Sequence, residues 1–400
     1  MLLVVLGGLW LLCLIWARSL ARGITLTREM RFGWTQVGDT LEERYRLIND
    51  SNFPALWVEV RDLSSMPGYD TSRGTGVGGK SQTEWRTQGV CSRRGVFTLG
   101  PTRIITGDPF GIYTVTLDMP PTQSLLVLPP IIPLPAIEVA PGGRAGEGRP
   151  RPFALERTVS AATVRDYVPG DSLHLIHWRS TAHRDHLSVR LFESTPASDW
   201  WIVLDMERSV HAGVGEQSTE EHAITSAASL ADRGLRDGKS VGLLAYGEEL
   251  VWLPPRADEM QRWNILRAMA LLHTGTLPLA DVLQRSRTTL GKHASLIVIT
   301  PRVQQRWIEE LMLLMRGGAV PTVLLLDAAA YGAQPGPTTS QAQVASLSAL
   351  GITCSLLTPD TFNRPEARPG HLGQWEMQTL PTGRVVVAGT NQNTGWRGLT

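Results

Sequence analysis

Apolar and polar positions change their period three times along this chain. Residues 1–17, MLLVVLGGLWLLCLIWA, carry no charge. A run of this length sits at the lower edge of the ~17–25 residues that cross a bilayer as a helix. Arg18 and Arg22 follow the run and no basic residue precedes it. That asymmetry favours a retained anchor, single-pass in a cell membrane, with the main soluble part on the cytoplasmic side. A cleaved signal peptide is the alternative, since Ser19-Leu20-Ala21 loosely fits a small-x-small cleavage site.

From residue 24 the period drops to two. Short alternating runs at 24–27, 40–48 and 56–62 are separated by Gly38-Asp39 and by Asn49-Asp50-Ser51-Asn52. This pattern predicts antiparallel strands with one buried face. Gly100-Pro101 and Asp108-Pro109 punctuate further strands, and residues 24–130 read as a small antiparallel β-sandwich. Within it, residues 74–80, GTGVGGK, look like a phosphate loop but lack the G-x-x-x-x-G-K-[ST] spacing, and are expected as a flexible hairpin tip. Residues 131–160 belong to a Pro-, Gly- and Arg-rich stretch, a linker by composition.

After residue 161 the runs become continuous. Residues 199–205, DWWIVLD, then 241–246, 295–300 and 322–327 are strands apolar on both sides, alternating with helical spacing. Ser218-Thr-Glu-Glu221 is a capping box opening a helix that stops at Gly238. Strands alternating with helices predict a mostly parallel, Rossmann-like α/β sheet over residues 161–360, with its sites at the carboxyl ends of the strands. Asp205, Thr300 and Asp327 fall at such ends. Residues 361–400 read as a tail, with one further strand near 384–388.

Composition sharpens this only a little. The chain is 42% hydrophobic and 19% charged, as globular proteins are. The 38 basic and 37 acidic residues leave a net charge of +1. That balance gives no electrostatic case for nucleic acid. Cys13, Cys91 and Cys354 form neither a metal spacing nor a disulfide framework, and fit a reducing compartment.

The densest chemistry lies at 165–193, with four histidines, a Trp and a Pro169-Gly170-Asp171 turn. His174, His177, His183 and His186 offer imidazoles for zinc and raise a metal-dependent hydrolase as the alternative function, while Ser180 and Asp171 near His177 raise a nucleophilic hydrolase. The surrounding arginines would repel a cation, and no G-x-S-x-G elbow accompanies Ser180. A polar docking segment beside the sheet is the preferred reading, and no enzyme activity is expected.

Three blocks together, RRGVFTLGP with DPFGIY, RDYVPGDSLHLIHWRSTA, and WWIVLD, resemble a bacterial family known as domain of unknown function 58 (DUF58). The resemblance implies a membrane anchor, a β domain and a von Willebrand factor type A-like domain. It also implies a partner, a MoxR-type AAA+ ATPase, and a role in assembling or activating other proteins. Its signature falls here on Arg165, Tyr167, Pro169, Gly170, Asp171, His177, Trp178, Arg179 and Ser180. The chain departs from the family at His174, at Ala182-His183, and in having one apolar segment before the β domain where the family has two.

A type A-like fold often holds Mg²⁺ through D-x-S-x-S, a later Thr and a further Asp, because hard cations need converging oxygens. Asp205 and Ser209 match, Glu207 replaces the first Ser, and Thr276 is the candidate distal Thr. The last Asp is missing, since Pro301-Arg302 follows Thr300. The other reading makes Asp205 a strand-end acid that caps backbone or pairs with an arginine.

Overall fold

The computed structural model describes residues 1–30, 32–120, 122–135, 137–142, 163–166, 181, 187–191, 199–288, 290, 294–303, 306–334, 336–364, 376–379, 385–388 and 397–398. Helix α1, Leu2–Gly23, contains the apolar run. It is long and apolar enough to cross a membrane. Cys13, Ala17 and Leu20 are buried, and their helical spacing makes one stripe against the β unit. Trp16 packs on Phe53 with tilted rings 4.7 Å apart and donates its indole N–H to the Pro54 carbonyl. The outer turns, from Met1 to Leu6, are exposed.

The β unit carries strands β1 Ile24–Met30, β2 Trp34–Gln36, β3 Thr40–Asn49, β4 Ala55–Asp62, β5 Arg73–Val77, β6 Ser81–Val90, β7 Gly95–Leu99, β8 Thr102–Gly107, β9 Thr114–Met119 and β10 Gln123–Leu128. One antiparallel sheet runs β1-β3-β6, with the short strand Arg397–Gly398 on its β1 edge, and a second runs β5-β4-β8-β9. Tyr45, Leu47 and Trp85 of the first share one core with Val58, Val60 and Ile104 of the second. The two sheets therefore pack as a sandwich around common side chains. A third group, β2-β10-β7, carries the sandwich toward the second unit. Alternation along β3 is strict and buries Leu41, Glu43, Tyr45, Leu47 and Asn49. Glu43 is tolerated there because Arg28 bonds both its oxygens at 2.7 Å and also reaches Asp62 at 2.9 Å. Part of the GTGVGGK stretch belongs to β5, paired with β4, so only residues 78–80 form a turn.

The second unit adds the antiparallel ribbon β11 Thr163–Asp166 and β12 Ser188–Leu191, then β13 Trp200–Leu204, the two-residue strands β14 Gly213–Val214 and β15 Gln217–Ser218, β16 Val241–Tyr246, β17 Leu250–Arg256, β18 Ser295–Thr300, β19 Val320–Leu326 and β20 Thr353–Leu357. Its helices are α2 Thr219–Arg236, α3 Glu259–Leu271, α4 Leu279–Ser286, α5 Arg306–Arg316, α6 Ser340–Ala349 and α7 Pro359–Phe362. The main sheet runs β17-β16-β13-β18-β19-β20, parallel except for the antiparallel edge strand β17. Trp200, Ile202 and Leu204 of β13 enter one core with α2 and α3. Trp201 and Val203 enter another with α4 and α5. Burial on both faces is why this strand reads as a continuous apolar run. Ser218 caps α2 by accepting from the Glu221 N–H, which is half of the expected capping box; the Glu221 carboxylate pairs with Arg94 instead of returning to the cap.

Among the described residues the units meet at several points, including the Trp34–Trp263 edge-to-face pair at 5.5 Å, and two of the contacts stand out. Residues 129–142, which begin the linker-like stretch, lie on the α/β unit. Ile131, Ile132 and Ile137 enter its core, and the backbone N–H groups of Ile132, Ala140 and Gly142 donate to Ser229, Thr322 and Ser295. Proline-rich composition reads as linker because the regular ladders are absent, yet its backbone can still be satisfied by side chains. The second contact is Arg94, buried, from the RRGVFTLGP block. It donates to the carbonyls of Met269 and Leu272 at the end of α3 and pairs with Glu220 and Glu221 at the start of α2. The guanidinium complements the negative carboxyl end of the α3 dipole, and the acids in the first turn of α2 compensate its charge at that helix's positive amino end.

Candidate functional site

Adjacent strands β13 and β18 end together, and the chemistry collects at that edge. Asp205 continues β13 by donating its N–H to the Ile299 carbonyl, and its side chain is fully buried. Its Oδ2 accepts the Thr300 hydroxyl at 2.7 Å and lies 3.5 Å from the Arg302 Nε. Its Oδ1 accepts the Glu207 N–H at 3.3 Å. Arg302 turns back because its own N–H donates to Thr300 Oγ1 at 2.9 Å, and its Nη2 then donates to the Glu207 carboxylate. The other Glu207 oxygen accepts from Ser209 at 2.5 Å. One guanidinium thus spans two carboxylates, and two hydroxyls hold those carboxylates in place.

His211 closes the group from behind. Its Nε2 lies 2.9 Å from the Asp205 carbonyl and its Nδ1 3.1 Å from Thr219 Oγ1. Burial pushes the imidazole below its usual range despite the nearby Asp205 carboxylate, and the nitrogen that faces the Asp205 carbonyl is the donor of that bond, since a carbonyl oxygen only accepts. Burial also pushes Asp205 up, against the opposing pull of Thr300 and Arg302. The floor is made by the loop before α4. Glu207 bridges Gly275, whose N–H donates to Met206 and whose carbonyl accepts from Arg208. A side chain at Gly275 would lie 2.0 Å from the Gly247 carbonyl, so this approach needs glycine.

The structure places Asp205, Glu207 and Ser209 beside one another after β13. It adds Arg302 and His211, which the sequence reading did not assign to the site. The signal for Arg302 was its position: it follows β18 where a type A-like site would supply its last Asp. Thr276 lies on the same loop as Gly275 but is exposed, and among the described residues it makes no hydrogen bond to the cluster. Asp327 ends β19 and accepts the Ser340 hydroxyl at 2.8 Å, a link to α6. Hard oxygen donors are present, but the positive charge between them is already supplied by Arg302. As arranged, the set does not fit a resident divalent cation. Among the described residues, no group of three or more His, Cys, Asp and Glu is placed to hold a metal.

In the signature segment, Thr163 faces Leu191 and Arg165 faces Val189, so its two ends pair with each other as a ribbon. Tyr167, Pro169, Gly170, Asp171, His177, Trp178, Arg179 and Ser180 lie outside the described residues, as do His174, His183 and His186.

Comparison with known proteins fits this picture. The uncharacterized protein YeaD of Bacillus subtilis is 24% identical over 318 residues, which is 76% of each chain. The uncharacterized protein Mb1516 of Mycobacterium bovis is 28% identical over 109 residues, 27% of this chain and 34% of its own length. Among solved structures, an aerotolerance-related membrane protein from Bacteroides fragilis covers 49% of this chain and 83% of its own, with 15% identity and a TM-score of 0.25, too low to bear on the fold. Residues 163–330, which contain the ribbon, β13 and the Asp205–Arg302 cluster, match the family described as Protein of unknown function DUF58, and with YeaD this supports the DUF58 resemblance.

Proposed function

We propose that this chain is a membrane-anchored interaction protein whose α/β unit is a von Willebrand factor type A-like binding module. Its partner surface is the sheet edge that carries Asp205, Glu207, Ser209 and Arg302. A MoxR-type AAA+ ATPase is the partner class that the DUF58 resemblance implies. The observation that carries the reading is the Arg302 clasp on Asp205 and Glu207. A buried acid, a cation set between two carboxylates and the partly exposed Glu207 form a polar rim, suited to recognising a charged partner group.

Catalysis fits the same residues less well. The Ser209 and Thr300 hydroxyls donate to carboxylates, and both His211 nitrogens already have partners. The carboxylates that accept these hydroxyls are themselves neutralised by Arg302, which lowers their strength as bases toward a nucleophile. The test is a pull-down from membranes with the full chain, in Mg²⁺ and in chelator. Wild type retains an AAA+ ATPase in both conditions, and Glu207→Gln, which keeps the side-chain volume, loses it. Equal recovery of the ATPase by wild type and Glu207→Gln would sink the proposal, and recovery only in Mg²⁺ would restore the metal-bridged reading.

A further inference from the structure

The GTGVGGK stretch has no part in the strand-end site, yet its last residue occupies a defined place. The loop at 78–80 folds against the inner end of α1. The Lys80 N–H donates to the Ser51 carbonyl and the Asp50 N–H donates to the Gly23 carbonyl, both at 2.9 Å. Both approaches need glycine. A side chain at Gly79 would lie 2.5 Å from the Asn52 carbonyl, and one at Gly23 would lie 2.7 Å from the Ser51 nitrogen. Lys80 itself takes a left-handed φ of 50°, a strained conformation for a residue with a side chain.

The result is an open cavity of about 490 Å³ lined by Arg18 and Arg22 of α1, by Lys80, and by Asp50, Ser51 and Asn52. That volume lies within the ~300–1,000 Å³ typical of ligand sites. Three cations face one carboxylate. Arg18, Arg22 and Lys80 are exposed, and no ion pair among the described residues uses them. The cavity opens where the uncharged part of α1 ends, beside the two arginines that follow it.

We infer that this cavity binds the phosphate headgroup of an anionic membrane lipid, held between the α1 arginines and Lys80. The inference rests on α1 being a membrane anchor. It goes beyond the anchor because Lys80, far from α1 in sequence, is recruited to the same point by two obligatory glycines. Juxtamembrane basic residues gather anionic lipid in proportion to their charge, and a pocket makes that attraction a site.

The experiment uses the full chain, purified in a neutral detergent and incubated with equal amounts of phosphatidylglycerol and phosphatidylcholine. Co-purifying lipid is counted by mass spectrometry. Wild type retains phosphatidylglycerol over phosphatidylcholine, and Lys80→Gln lowers that ratio about fivefold, the equivalent of one basic contact. Arg18→Gln with Arg22→Gln lowers it further. Equal retention of the two lipids by wild type, or an unchanged ratio in Lys80→Gln, overturns the pocket. Displacement of the lipid by excess glycerol 3-phosphate overturns the lipid source in favour of a soluble phosphate. Carbonate extraction of wild type from membranes separates the two readings. Release of the chain overturns the anchor itself, whereas a retained chain with no lipid preference overturns the pocket alone.

Discussion

Replacing Arg302 with Ala removes the cation that Asp205 and Glu207 share. Their side chains are 0% and 15% exposed, and Arg302 is 12% exposed. Breaking a buried pair by deleting one partner costs ~3–5 kcal/mol, because a charge is left without compensation. Water can enter from the Glu207 side, so the lower end, about 3 kcal/mol, applies. For a unit of this size that corresponds to a fall in Tm of about 6–12 °C. The loss depends on pH with a definite sign. Burial already holds the Asp205 pKa above its unfolded value, so its contribution to stability is present below the ordinary carboxylate range and fades as pH rises through the raised folded value. Arg302 opposes that rise, and without it Asp205 moves further up. Arg302→Ala is therefore weakest at neutral pH and closest to wild type near pH 4. The freed oxygens of Asp205, Glu207 and Ser209 then become hard-cation donors, so millimolar Mg²⁺ restores part of the lost Tm in the variant and none in wild type. Differential scanning calorimetry at two pH values, with Mg²⁺ and with chelator, measures all of this. An unchanged Tm in Arg302→Ala, or equal Mg²⁺ stabilisation of wild type, would refute the built-in cation.

Arg94→Ala strips the ends of α2 and α3 of their shared partner, and thermal unfolding is expected to split into two transitions with a loss of about 2–3 kcal/mol, since Glu220 and Glu221 are partly exposed. Arg28→Met leaves Glu43 and Asp62 buried without a cation, which costs ~3–5 kcal/mol by urea denaturation, and Arg28→Met with Glu43→Leu recovers part of it. His222 stacks on Phe362 at 3.9 Å beside the Tyr331 hydroxyl, and burial lowers its pKa to about 4. A histidine depressed in the folded state stabilises above its unfolded pKa and loses that contribution as pH falls from about 6.5 toward 4, an effect of up to ~3 kcal/mol. His222→Phe is expected to flatten the Tm profile across that window, and an unchanged slope would count against the assignment.

Much of this was legible in the residues. The uncharged run of α1, the strict alternation of β3 and the doubly apolar β13 each state their environment, because a local period reports which faces meet water. The Ser218 cap and the stop at Gly238 were equally local. The D-x-E-x-S spacing placed Asp205, Glu207 and Ser209 on one loop, since three alternate positions after a strand cannot diverge far.

What tertiary structure decided is whatever depends on chain segments far apart. Residues 129–142 look like linker until Ile131, Ile132 and Ile137 meet α2, and composition carries no record of that partner. Arg94 stands in the sequence only as part of the RRGVFTLGP block, yet its contacts lie from 126 to 178 residues away. Arg302 sits 95 residues from Glu207, and only the pairing of β13 with β18 makes it their common cation. Pattern alone determines which side of a segment faces the core, because that follows from period and hydrophobicity. Which charge neutralises which is fixed by strand order, because ion pairs form across space and leave no spacing in the chain.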